Sequence, residues 1–305
     1  MPTEHNPVWL ADATADRELL EAGIGRAIHD GTPDGRLELQ KSVTQIERDI
    51  TRQTSPETLK AVLRGVLVER PDANRVGIIT HSNLVDAAQS LGRPFDARIV
   101  RVALYGSGQD RASNTWYQQC DLIIVAGTPR VNSHAIRQRL WQYGLSDAAL
   151  TDGDWGELRW QGYTHGGGSR SVKGFGYRNP TWRQTHRAVV RANLIQAAGR
   201  GRSLADNGCD VLILSNEECG VPLDAKFDVE LFPQAALDVL NALSAVAANS
   251  YLLGTTAVST QDVADSMNRS RRQVLDWLAW LHERKLVHRI GERRGWWPLD
   301  IDGQG

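Results

Sequence analysis

Short apolar runs rich in valine and isoleucine recur along the first two thirds of the chain. Continuous runs of this kind are typical of strands that a parallel sheet buries on both faces. The pattern therefore predicts buried strands at residues 8–11, 75–80, 98–105, 121–127 and 210–215.

Segments with helical periodicity lie between several of these runs. Ser55, Ser82 and Ser133 each stand directly before such a segment, and serine is a favoured N-cap residue. Strands that alternate with helices indicate a parallel sheet covered by helices on both faces. We therefore predict an α/β fold for this part of the chain.

Residues 153–180 interrupt this alternation, because aromatic and basic side chains flank a run of three glycines, Gly166 to Gly168. A glycine-rich turn between two such runs favours a β-hairpin. We predict a hairpin inserted into the α/β fold, followed by a helix that begins near Thr181.

The pattern changes again after about Phe232. Three helical segments follow, the second and third preceded by Ser259 and Ser270 as predicted N-caps, and then two short apolar runs separated by "GERRG". This order resembles a small winged helix-turn-helix domain. We therefore expect two domains, residues 1–230 and 231–305.

Charge is unevenly distributed along the 305 residues, although the formal net charge is only −1. Residues 155–203 contain nine lysines and arginines and one acid, Glu157. A local excess of this kind favours phosphate partners.

Cysteine usage and the N-terminal sequence bear on the compartment. Cys120, Cys209 and Cys219 lie far apart, which favours reduced thiols and no structural metal. The N-terminus reaches acidic residues before any long apolar run, so we expect no signal peptide or membrane span and a cytoplasmic protein.

One stretch, "QAAGRGR" at 196–202, is similar to the sixth motif of superfamily-two helicases, Q-x-x-G-R-x-x-R. Gln196, Gly199 and Arg200 fit this motif; Ser203 occupies its last position, and Arg202 stands one residue earlier. Residues 12–15, 79–83 and 126–131 look like the third, fourth and fifth motifs, in the same order. The chain therefore resembles the second, C-terminal RecA-like domain of these helicases.

The resemblance implies roles for the residues of this motif. Arg200 and Arg202, with Gln196, would reach across a cleft to the phosphates of ATP, where a guanidinium stabilises the transferring phosphoryl group. Gly199 would lie beside the nucleotide, as would Gly127 and Thr128, which follow a predicted strand. The residues alone also allow a plain basic helix cap.

The sequence contains no G-x-x-x-x-G-K-[ST] phosphate loop. The family carries that loop in the preceding motor domain. We therefore expect ATP and Mg²⁺ to bind only together with a partner motor domain, and the chain alone to be inactive as an ATPase.

DNA contacts are expected on three surfaces. Their candidate residues are Ser82, Asn83 and Arg130 at the ends of strands, Arg159, Trp160, Lys173 and Tyr177 in the hairpin, and Arg271, Arg272, Gln273, Arg293 and Arg294 in the winged domain. For each surface an alternative is open: helix capping or turn geometry, hairpin packing, and protein docking.

The resulting hypothesis is the C-terminal half of a helicase-like DNA motor, which binds single-stranded and duplex DNA and a separate N-terminal helicase domain, with no membrane partner. One alternative is a DNA-binding regulator or replication accessory protein that keeps the RecA-like lobe as a scaffold without catalysis. Another is an adaptor that binds a helicase subunit.

Overall fold

The structure is a computed structural model, and it describes residues 16–25, 27–28, 40–106, 116–165, 168–202, 207–217, 219, 229–252, 257–290 and 295–299. The side chains of Tyr117 and of residues 159–174 fall outside this description. The predicted strand at 8–11 also lies outside it.

A parallel five-stranded sheet organises the α/β part. Its register is defined by Val43 opposite Val211 and by Leu122 opposite Asp210. This arrangement is consistent with a Rossmann-like or RecA-like fold. The strands are β1 Val43–Ile46, β2 Val76–Thr80, β3 Ile99–Leu104, β4 Leu122–Ala126 and β7 Asp210–Leu214. They lie in the order β1-β7-β4-β2-β3.

Four of the predicted strands are confirmed as β2, β3, β4 and β7. The prediction that each is buried on both faces is wrong for β3, an edge strand on which Val100 is 47% and Leu104 36% exposed. Strand β1 was not predicted, because its sequence, Val43-Thr44-Gln45-Ile46, has two polar residues between its apolar ends. All four of its residues are nevertheless buried.

Three of the five serines predicted to start helices are confirmed as N-caps, namely Ser55, Ser259 and Ser270. Ser55 caps the second helix and accepts a hydrogen bond from the backbone N–H of Thr58. The helix predicted after Ser133 is capped instead by Asn132, whose side chain accepts from Ala135. The helices of this part are α1 Arg17–Ile24, α2 Pro56–Glu69, α3 Val85–Gln89, α4 Trp116–Gln119, α5 Ser133–Gln142, α6 Ser146–Ala149 and α7 Pro180–Ala198.

The inserted hairpin is confirmed. Strands β5 Trp155–His165 and β6 Gly168–Tyr177 pair antiparallel, with a register shift between Gln161 and Thr164. Helix α7 follows, and the side chain of Asn179 caps it. Val190 and Leu194 on α7 join Val125 and Ile213 in one buried core, so this helix covers a face of the sheet.

The C-terminal region is helical and ends in a short hairpin. Ser259 forms a capping box with Asp262, and Ser270 accepts from the backbone of Gln273, so both predicted N-caps are confirmed. Val258 forms an isolated bridge with Trp296. The elements are α8 Gln234–Leu252, α9 Thr260–Met267, α10 Arg271–Glu283, β8 Val287–Arg289 and β9 Trp296–Pro298.

By its internal contacts the chain divides into two compact units, residues 1–53, 77–82 and 103–227, and residues 54–76, 83–102 and 228–305. Within the second unit, Phe232 packs edge-on against Phe95 at 5.3 Å and Trp280 at 5.2 Å between ring centroids. The domain boundary at 230 stays a prediction. No helix in the described part of the chain is long and apolar enough to cross a membrane.

Candidate functional site

Polar residues lie together at the carboxyl edge of the sheet, which is the side where the parallel strands end. Thr128 follows β4 and Ser215 follows β7, and their hydroxyl oxygens lie 2.8 Å apart. His81 follows β2 and is 3% exposed. In open α/β sheets this carboxyl edge is where ligands bind.

An ion-pair cluster lies at the same edge. The Arg130 guanidinium is 3.0 Å from Asp49 and 3.4 Å from Glu217. Burial raises the pKa of Glu217 to about 7, and the charge of Arg130 opposes this rise. The Gln45 amide donates to the backbone carbonyls of Ser215 and Glu217, at 2.6 and 2.9 Å. Arg130 is therefore engaged within the protein, with 15% of its side chain exposed.

Three buried atoms at this edge have unused hydrogen-bonding capacity: Nε2 of His81, Oε1 of Gln45 and Oδ1 of Asn216. Burial, together with the charges of Arg52 and Arg130, lowers the pKa of His81 to about 4. The imidazole is therefore neutral at pH 7. Such atoms are expected to bind water or a ligand, because unpaired buried polar groups are costly.

The backbone of Gly127 explains the presence of glycine at this edge. Its φ is +131°, a conformation that side chains rarely adopt, and a Cβ here would lie 2.8 Å from Nε2 of His81. Gly199 differs, because its φ is −58° and no atom lies within 4 Å of its Cβ position.

We expect Gly127→Ala to lower the free energy of unfolding by about 2 kcal/mol or more, from backbone strain and displacement of the His81 ring. Gly199→Ala is the matched control, with an expected change within about 0.5 kcal/mol. Urea unfolding of both variants measures the difference. Equal losses would contradict the close approach to His81.

The residues of the helicase-like motif lie at the other end of β7. The 3₁₀ turn Gly199–Gly201 follows α7, and the carbonyl of Gly201 accepts from the N–H of Cys209, one residue before β7. A five-residue strand spans more than about 10 Å. The structure therefore does not bring Gly199 and Arg200 together with Gly127 and Thr128.

Two alternatives for the arginines of this turn stay open. Arg202 is exposed and left-handed, with φ +45°, and its N–H donates to the carbonyl of Gly199. Arg200 and Gln196 are half-buried. These positions are compatible with a phosphate contact and with a helix cap.

The prediction that Tyr177 of the hairpin stacks on a nucleic-acid base needs correction. It is 5% exposed, and its ring packs against Trp155, Trp182 and His186, with centroids 4.9, 5.1 and 5.7 Å away. Its ring is covered by the protein's own aromatic residues, so the structure gives Tyr177 a packing role. The side chains of Arg159, Trp160 and Lys173 lie outside the described residues, and their roles stay predictions.

The remaining predicted DNA contacts divide into three groups. Ser82 and Asn83 are exposed, but they begin a three-residue 3₁₀ turn, and α3 has only five residues. Arg271, Arg272 and Gln273 are exposed in the first turn of α10. Arg293 and Arg294 lie outside the described residues.

No known protein family, curated protein or solved structure matches this chain. Within the described residues, no group of three or more histidine, cysteine, aspartate or glutamate side chains could hold a metal ion.

Sequence reasoning missed Gln45, Asp49, His81 and Glu217 at the carboxyl edge. His81 and Glu217 each stand directly after or close to the end of a predicted strand, and that position was an available signal. Gln45 and Asp49 depend on β1, which had no clear sequence signal.

Proposed function

We propose that this chain is a DNA-binding protein of the helicase class, in which the start of α10 contacts duplex DNA and the RecA-like part serves as the second lobe of a motor. The observation that carries the proposal is the exposed row Arg271, Arg272 and Gln273 in one helical turn. The other face of α10 is buried through Val274, Leu278 and Leu281.

The elements around α10 favour the winged helix-turn-helix interpretation. The turn before it is short, because Asn268 ends α9 in the left-handed conformation and Ser270 already caps α10. The antiparallel pair β8–β9 follows α10, and Val258 adds a bridge to Trp296. In domains of this type the N-terminal residues of the last helix enter the major groove.

The charge at the start of α10 suits a phosphate backbone. Arg269 is also exposed in the preceding turn, which gives three arginines within four residues. The positive end of the helix dipole lies in the same place. Asp276 and Glu283 are the exposed acids further along the helix.

The motor part of the proposal is supported by the sheet order and by the helicase-like motif around Arg200. Arg200, with Arg202 and Gln196, would contact the phosphates of ATP, which a partner motor domain would hold together with Mg²⁺. Arg159, Trp160 and Lys173 of the hairpin would contact single-stranded DNA.

The test is a fluorescence-anisotropy titration of the whole chain with a labelled duplex at several salt concentrations. If about six phosphates are neutralised, log K should fall with log salt at a slope of about −5. A flat salt dependence, or no binding at low salt, would contradict the proposal.

An ATPase assay on the same preparation separates the motor from the alternatives. We expect no hydrolysis by the chain alone, and hydrolysis that requires Arg200 once a phosphate-loop motor domain is added. Salt-dependent DNA binding without such hydrolysis would favour the DNA-binding regulator. Robust hydrolysis by residues 1–305 alone would contradict the motor assignment.

A further inference from the structure

A cavity of about 520 Å³ lies in the first unit, between α1 and α7. Four arginines line it: Arg17 on α1, and Arg183, Arg187 and Arg191 on α7. Its volume falls within the range of small-molecule sites, about 300–1,000 Å³. This cavity is separate from the start of α10 and from the turn that carries Arg200.

The arginines of α7 form one stripe because they are spaced four residues apart. Each step advances about 6 Å along the helix axis. Like charges at this spacing destabilise a helix. The stripe is therefore unfavourable for the helix alone, and an anion between the guanidinium groups would relieve the repulsion.

The carboxylates of the same cavity have identified partners. Asp16 caps α1 through the N–H of Leu19 and lies 3.2 Å from the Arg191 guanidinium. Glu18 accepts a hydrogen bond of 2.6 Å from Gln184. These two contacts fasten α1 to α7.

Glu217 also lines the cavity and pairs with Arg130. By contrast, Arg183 makes no side-chain hydrogen bond or ion pair with any part of the chain that the structure describes. The N–H groups of the Arg183 guanidinium can therefore donate hydrogen bonds to a ligand.

We propose that the cavity binds a small polyphosphate, either inorganic or the phosphate chain of a nucleotide, through Arg183 and Arg187. Arginine forks match phosphate oxygens in a bidentate geometry. A small ligand is favoured over a nucleic-acid strand, because the volume of about 520 Å³ matches a small molecule. The inference does not depend on the proposed DNA-binding function.

Isothermal titration of the whole chain with sodium tripolyphosphate, without Mg²⁺ and at low salt, tests the site. Arg183→Ala and Arg187→Ala should each weaken binding about tenfold or more, because charge-assisted hydrogen bonds are removed. Arg183→Lys should recover only part of this affinity. The control is Arg139→Ala on α5, an exposed arginine bonded to Gln142, which should change nothing.

The outcomes distinguish inorganic polyphosphate from the phosphate chain of a nucleotide as the ligand. Equal affinities for tripolyphosphate and ATP would show that the site binds the phosphate chain alone. A higher affinity for ATP would place the nucleoside in the cavity as well. Both results support the site. Undetectable binding by the wild type, or losses no larger than in Arg139→Ala, would overturn it.

Duplex binding by the Arg183→Ala variant keeps this test distinct from the proposed function. It should be unchanged, and thermal unfolding should show a folded protein. If tripolyphosphate binding is abolished instead on removal of Arg271 and Arg272, the cavity is not the site.

Discussion

Replacing Arg271 and Arg272 together with alanine is expected to weaken duplex DNA binding about 100-fold. Both side chains are exposed in the first turn of α10, where they would contact phosphates or base edges. A hydrogen bond to a charged group contributes about 1.5–3 kcal/mol, so the removal of two such bonds reaches two orders of magnitude. Fluorescence anisotropy of a labelled duplex measures the change.

Two further measurements show whether the loss of affinity comes from lost DNA contacts or from a destabilised fold. The salt slope should become less negative by about 2, because each arginine neutralises about one phosphate. The thermal midpoint should stay nearly constant, because exposed arginines rarely stabilise the fold.

Arg137→Ala with Arg139→Ala is the matched control, since both side chains are exposed on α5 and the net charge changes equally. Affinity should hardly change in this control. Unchanged duplex affinity in a folded Arg271→Ala, Arg272→Ala protein would indicate a protein-docking surface.

Acidification from pH 6.5 to pH 4 is expected to destabilise the protein through two buried histidines. Burial and nearby arginines lower the pKa of His81 to about 4, and burial, with the charge of Arg130, does the same for His186. The unfolded chain binds these protons near pH 6.5, so the stabilisation is complete above that pH and is lost as the pH falls toward 4. Each histidine accounts for up to about 3 kcal/mol.

Glu217 acts in the opposite direction over part of the same range. Burial raises the pKa of this carboxyl to about 7, so its contribution is complete below about pH 4.5 and is lost as the pH rises through 7. One carboxyl offsets about one histidine, and the net effect of acidification is a loss of stability.

Urea unfolding between pH 7 and pH 4.5 measures this dependence. In His81→Gln or His186→Gln, the slope of the unfolding free energy should be shallower by up to about 1.4 kcal/mol per pH unit, one proton fewer. His134→Gln is the control, because His134 is exposed on α5. Slopes equal to that of the wild type in both buried variants would contradict the assignment.

The sequence predicts the elements whose signals are local. The capping residues Ser55, Ser259 and Ser270 start helices as expected, because each satisfies backbone N–H groups of its own first turn. Four of the apolar runs become strands for the same reason: the continuous apolar sequence that predicts each strand lies within the segment.

The carboxyl edge could not be predicted in the same way. Gln45 is fully buried, and its burial is tolerated because carbonyl groups more than 160 residues away in the sequence accept its amide hydrogens. The pairing of Arg130 with Asp49 and Glu217 likewise joins loops that are distant in sequence. The sequence of an aromatic run is also the same whether its rings stack on bases or pack against each other. Tyr177 packs against other aromatic residues of the protein.

The double role of Asp16, which caps α1 and pairs with Arg191, makes the formation of this helix and its attachment to α7 a single event. A helix of eight residues is not stable by itself in water. Helix α1 should therefore open as one cooperative unit, and its hydrogen-bonded amide groups should show a common free energy of opening in hydrogen–deuterium exchange. That free energy then reports how often one wall of the arginine-lined cavity is in place.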